Sequence, residues 1–247
     1  MDALLIKLTA LVYLIVTVSY FFHLFRGASA TRSPTVLLLG GFVIHSIALT
    51  SLFFREGFAT VAVMGDALLF NSWLMVGIYL LIQLKYPLAV LGAIVAPLAF
   101  LMTFAAFAVG GGAGEIPPGF QTFWLPLHVT LAFLGNAIFA LAFGVSVIYL
   151  LQERHLKHKK LTILMKRFPS LESLDGLNYR LLMWGFPLMT LGILTGSLWA
   201  GIHWGDYWSW DPRQISSGLA WLLYGALLHG RITAGLRGKK AALLTMV

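Results

Sequence analysis

The sequence predicts an all-α protein: a polytopic bundle of transmembrane helices with seven full spans, the start of what reads as an eighth, and the N-terminus outside. Three observations predict it. The chain is 59% hydrophobic and 11% charged, where soluble domains carry roughly 25% charged residues. Apolar runs longer than the ~18 residues that mark a membrane helix recur along its 247 residues. Lys and Arg gather in the connections between those runs, as they do in membrane proteins with a fixed orientation.

The first span is expected from about Leu4 to Phe25, ending at Arg26, without the basic leader of a cleavable signal peptide. The second runs from about Pro34 to Phe54 between Arg32 and Arg55, and the third from about Thr60 to Leu84, closed by Lys85. Pro87 opens the fourth as a first-turn residue, and that span reaches about Val109. A Gly- and Pro-rich loop follows over 110–119. The fifth span covers about Thr122 to Leu151. The basic segment 152–178 reads as an interfacial amphipathic helix, with Leu161, Ile163, Leu164, Met165 and Phe168 among lysines. The sixth span is about Tyr179 to Ile202. Asp211-Pro212 reads as N-cap and first residue of the seventh, which extends to about Thr233. A further apolar run begins after Lys240.

Loop charge sets the expected orientation. Segments 152–178 and 231–240 hold most of the Lys and Arg and are expected to be cytoplasmic. Alternation then places 110–121 and the tryptophan-rich loop 203–213 outside. The organisation is a single integral membrane domain, 1–247, with no internal repeat. The net charge of +8 lies where it meets anionic lipid of the bilayer, not nucleic acid. The absence of Cys excludes disulfides and thiolate metal sites, leaving seven His as the strong transition-metal ligands.

Five of the eight Trp fall between Trp199 and Trp221. Indoles give flat apolar faces with one N–H at the edge. An aromatic belt at the membrane surface places one or two such rings at each helix end. The run Trp204-Gly205-Asp206-Tyr207-Trp208-Ser209-Trp210-Asp211 concentrates them in one loop, as a platform for a large planar ligand would. His128 lies near the outer end of the fifth span, His45 in the middle of the second, and His229 near the inner end of the seventh. A lone membrane His is usually satisfied by a neighbouring helix. Several with a Trp platform point to haem, for which neutral imidazole is the usual axial ligand. Asp211 caps the seventh helix whether or not it also faces the ligand. Arg213 suits a haem propionate or a lipid phosphate.

The segment Trp204–Arg213 resembles the tryptophan-rich WWD signature of the cytochrome c assembly family, the CcsA, HemX and CcmC type haem-handling membrane proteins. Phe123–Val129 with His128, the lead-in Leu171–Asp175 with Tyr179-Arg180, and Ala226–Arg231 with His229 are similar to segments of the CcsA/HemX branch. The resemblance is strong over about 120–240. It implies a protein of c-type cytochrome biogenesis in the bacterial inner (plasma) membrane. Such a protein receives haem b in the membrane and presents it externally to an apocytochrome c bearing C-x-x-C-H. It acts with a second membrane subunit that has a periplasmic domain, together forming a haem lyase. The resemblance also implies His128 as an external axial ligand and His229 as a ligand within the membrane, with His45, nearer the midplane, as its partner. Trp204, Gly205, Tyr207, Trp208, Trp210 and Asp211 would form the platform. Members of the branch continue with another span and a second external His; here the expectation is a truncated chain or another residue in that role, His203 being nearest. Gln214 stands where an acid is common. A HemX-like non-enzymatic haem-binding or regulatory protein is the alternative, and a haem b electron-transfer subunit a more distant one.

Overall fold

A computed structural model describes residues 2–26, 32–86, 88–110, 124–158 and 168–246, and every regular element among them is helical. The chain divides into two compact units, built from the first four and the last four α-helices.

The first unit holds α1 (Asp2–Arg26), α2 (Arg32–Glu56), a short 3-10 turn (Phe58–Ala62), α3 (Met64–Lys85) and α4 (Ala89–Val109). Its helices are apolar nearly all round, and several of their buried polar groups find partners across helices. Tyr20 on α1 meets Tyr79 on α3 and Thr35 on α2, each at 3.2 Å between hydroxyls. The Trp73 indole donates to Ser46 at 2.8 Å. At the start of α3, the Thr60 hydroxyl donates to the buried Asp66 carboxylate. His45 is wholly enclosed; its Nδ1 lies 3.1 Å from the Tyr13 hydroxyl.

The second unit holds α5 (Trp124–Lys157), α6 (Leu171–Trp204), α7 (Pro212–Thr233) and the short α8 (Lys239–Thr245). At 34 residues each, α5 and α6 are ~51 Å long, well beyond the ~30 Å hydrocarbon core. Asn178 on α6 locks them together by donating to Ser146 at 2.8 Å and to the Ala142 carbonyl at 3.2 Å on α5.

Among the described residues, six helices, α1 to α6, are long and apolar enough to cross a membrane, and the chain is an integral membrane protein. The expected seventh span forms as a helix of 22 residues but is more polar than a span. Arg213, Gln214, Ser216 and Ser217 crowd its start, and His229 and Arg231 its end. The expected eighth is the seven-residue α8, folded against α5 and α7. An interfacial helix over 152–178 is corrected at both ends. Residues 152–157 continue α5, where Lys157 pairs with Glu153 at 2.8 Å. Residues 171–178 open α6 behind an N-cap, Ser170, whose hydroxyl accepts from the Ser173 amide at 3.2 Å. Residues 159–167 lie outside the described residues, as do Pro87 and the loop 111–123.

Candidate functional site

The tryptophan-rich loop is shaped by its two helix ends. Gly205 ends α6 in the left-handed region at φ 84°, where a side chain is disfavoured. The loop then turns back along α6: the Ser197 hydroxyl donates to the Tyr207 carbonyl at 2.7 Å, and the Tyr207 ring lies against Gly201. Trp210 takes φ 55°, left-handed for a bulky residue. Asp211 then caps α7, its Oδ1 accepting from the Arg213 amide at 2.8 Å, with Pro212 as first helical residue. The Arg213 guanidinium returns to the same carboxylate, Nε to Oδ1 at 3.1 Å, and holds the Asp211 pKa below the usual carboxylate range.

Between α6 and α7, under this loop, runs an apolar groove of about 430 Å³. Thr190, Ile193 and Leu194 form one wall; Ile215, Leu219 and Leu222, at helical spacing, form the other. Three indoles complete it: Trp208, Trp210 and Trp221. Trp208 and Trp210 meet edge to face, 5.9 Å apart at 87°. Trp221 donates its N–H to Thr190 at 2.8 Å and stacks on Phe186 at 5.5 Å, so its polar edge is satisfied and its ring is left to line the groove. The volume lies in the ordinary range for small-molecule pockets, ~300–1,000 Å³.

His128 sits on α5 and points at α6. Its Nδ1 lies 2.8 Å from the Gly192 carbonyl. A carbonyl only accepts, so Nδ1 carries the hydrogen and the neutral ring keeps its lone pair on Nε2. The ring reaches this position because α6 has Gly196 there; a Cβ would stand 2.5 Å from His128 Cε1. His203, on α6, is held the same way, with Nδ1 3.0 Å from the Trp199 carbonyl. Its ring stacks on the buried Trp199 at 4.8 Å, and Trp204 meets Trp199 edge-on at 4.8 Å. Fixing one imidazole nitrogen on a carbonyl is how proteins orient a metal-ligating His.

The predicted platform therefore divides. At 100° per residue, Gly192, Gly196, Trp199 and His203 form one stripe of α6, the stripe that meets His128. Thr190 and Leu194 lie on the opposite side, with the groove, Trp208 and Trp210. Trp204, 100° round from His203, touches that stripe through the Trp199 ring, and Tyr207 lies over Gly201 on the groove side, with Thr190 and Leu194. The structure brings His128 and His203 to one stripe of α6, where Trp204 touches Trp199, and gives Tyr207, Trp208 and Trp210 to the opposite side.

His229 is exposed on α7, on the same helical stripe as Ile215 and Leu222 of the groove. His45 belongs to the first unit, and its Nε2 is buried without a hydrogen bond, near the Leu69 carbonyl. Arg231, read from sequence as an orientation signal, is buried instead. It pairs with Asp175 at 2.9 Å and donates to the Asn178 side chain at 3.0 Å. His229 and Arg231 are two residues apart, so one points out and the other in. Trp221, Thr190 and Gln214 were missed as site residues. The i, i+4, i+7 pattern Ile215-Leu219-Leu222 was the available signal for the groove.

The family described as Cytochrome C assembly protein matches this chain over residues 61–247. Among similar proteins, the cytochrome c biogenesis protein CcsA of Chlamydomonas reinhardtii is 35% identical over 201 residues, covering 78% of this chain and 56% of that protein. The CcsA protein of Pyropia yezoensis is 30% identical over 252 residues, covering 86% of this chain and 79% of that protein. That of Prochlorococcus marinus is 26% identical over 271 residues, covering 98% and 86%. The chain thus spans little more than half the length of the Chlamydomonas relative and most of the other two.

Proposed function

The chain belongs to the cytochrome c assembly protein family, and from that premise we propose that it binds haem b at the outer end of its second unit and presents it to apocytochrome c. The observation that carries this reading is the pair of imidazoles at one face of α6. His128 and His203 each have Nδ1 fixed on a backbone carbonyl, at 2.8 and 3.0 Å, so both keep Nε2 for iron. That donor set fits haem, whose iron takes axial imidazole. Trp204, in contact with Trp199 beside His203, offers the porphyrin a flat apolar face; Trp208 and Trp210, in the groove on the opposite side of α6, are proposed as a second porphyrin surface. His203 supplies the second external donor.

Bound haem would bring the vinyl groups to which the thiols of a C-x-x-C-H site add. The residues of this chain hold and orient it. Arg213 is bound to Asp211 on one side and is otherwise exposed, which suits it to a propionate. His229 is the proposed inner donor. His45, enclosed in the first unit, is proposed as a further haem ligand. A second membrane subunit with a periplasmic domain is the proposed companion for the attachment step.

The test is an absorption spectrum of the full chain purified from haem-replete cells. The expected result is a Soret band with low-spin α and β bands. His128→Ala is expected to shift it to high spin, with recovery on adding imidazole. A preparation with no Soret band overturns the reading.

A further inference from the structure

We propose that Gln214 is the positioning residue that sets Trp208 and Trp210 on the groove, an inference that rests on the haem-holding reading above. Ser209 lies between the two indoles in sequence. Its backbone N–H points at the Gln214 side chain at 2.7 Å, and its hydroxyl at the same atom at 3.1 Å. The amide orientation is forced: an N–H needs an acceptor, so Oε1 faces Ser209 and Nε2 turns away. One oxygen on the first turn of α7 thus holds both donors of the residue that joins the two rings.

Two further observations show why the loop needs holding. Trp210 sits at φ 55°, and a bulky residue stays left-handed only where its surroundings over-determine it. Asp211 fixes the segment after Trp210 by capping α7, and Gln214 fixes the segment before it. One turn along α7, Gly218 leaves room for the Trp208 ring; a Cβ there would be 3.3 Å from Trp208 Cη2. Positions 214 and 218 share a face of α7, and that face is shaped to the loop. A carboxylate at 214 would accept the same two bonds. The amide accepts them without adding charge beside Asp211, the cap of the same helix.

The test uses the full chain in nanodiscs with Gln214→Ala, Gln214→Met, which keeps the length but lacks an acceptor, and Gln214→Glu, which keeps one. Hydrogen exchange over 205–213 reads the loop without any ligand. Haemin titration reads the site. Gln214→Ala and Gln214→Met are expected to exchange faster across Ser209 and to bind haemin about tenfold more weakly, as the loss of two hydrogen bonds implies. Gln214→Glu is expected to restore both within about twofold. Unchanged exchange in both Ala and Met variants overturns the proposal, as does a Glu variant that matches them. Should exchange respond as expected while the unsubstituted chain binds no haemin, the haem-holding reading falls and the positioning role stands.

Discussion

Arg231 and Asp175, 56 residues apart in sequence, close an ion pair at 2.9 Å in which the arginine side chain is 3% exposed. The Arg231 guanidinium also lies 5.1 Å over the Tyr179 ring and donates to the Asp175 carbonyl at 3.1 Å. The Asp175 carboxylate accepts in turn from the Gly238 amide at 3.0 Å. Asn178, which already ties α6 to α5, accepts from Arg231 and from Thr245 on α8. Two charges and one amide thus join all four helices of the second unit at one end. Removing one partner of a buried pair costs more than the pair contributes, because the other charge stays behind.

Arg231→Ala is therefore expected to lower the stability of the second unit by ~3 kcal/mol, toward the low end for buried pairs because Asp175 is partly open to water. Arg231→Lys should recover only part of this, since a lysine cannot span Asp175 and Asn178 together. Thermal unfolding in detergent of Arg231→Ala, Asp175→Asn and the double variant would measure the coupling. Additive single effects would mean that the pair contributes nothing of its own.

Asp211 gives a pH prediction. Its folded pKa lies below the ordinary value because Arg213 donates to it. A depressed carboxylate contributes stability that is present above its unfolded pKa, about 3.9, and lost as pH falls through the folded value. Hydrogen exchange at the Arg213 amide should thus be insensitive to this group between pH 5 and 8 and accelerate below pH ~4, after correction for intrinsic rates. Asp211→Asn, still a good cap, should remove the acid limb. A limb that persists in Asp211→Asn would assign it to another group.

The helices were legible in the sequence because lipid demands long apolar runs, and the start of α7 because Asp211-Pro212 is a local signal. The ends of α5 and α6 were not. Gln152–Lys157 and Leu171–Asn178 are polar enough to read as connection, and they are helical through contacts distant in sequence, such as Asn178 with Ser146. The candidate site was legible in its residue types and not in its arrangement. His128, His203 and the indoles were identified from residue type and position. Their division between two faces of α6 depends on which stripe of α6 meets α5, and Gly192 and Gly196 settle that only once the helices are packed. Arg231 misled because a basic residue near a helix end serves orientation far more often than burial.

The chain contains no Cys, so single cysteines can be introduced into it without background. A cysteine at Gly176, near the Arg231 pocket, and one at Asp206, in the tryptophan-rich loop, should be labelled from opposite sides of the membrane. From charge asymmetry, position 206 is expected outside and position 176 inside. Impermeant maleimide applied to intact cells should label 206 and spare 176. The reverse pattern would turn the whole topology over.

The last prediction separates the indoles of the groove from indoles that merely face lipid. Trp208 is 36% exposed and packs against α7 and Trp210; Trp210 is 75% exposed. Trp184, on α6, is 71% exposed and takes no part in the groove. An aromatic pair contributes ~0.5–1.5 kcal/mol beyond the area it buries, so losing one face of a planar ligand should weaken binding about tenfold. Trp208→Ala should reduce haem occupancy more than Trp210→Ala, since the more embedded ring also shapes the groove. Imidazole should rescue neither, because no coordination position is lost, whereas it should rescue His128→Ala. Trp184→Ala should retain full occupancy. An aromatic belt predicts a different order, with every exposed indole equivalent and haem content unchanged in all three. Full haem in Trp208→Ala and Trp210→Ala, or a loss in Trp184→Ala equal to theirs, would remove the groove from the binding site and leave haem to the His128 and His203 face of α6.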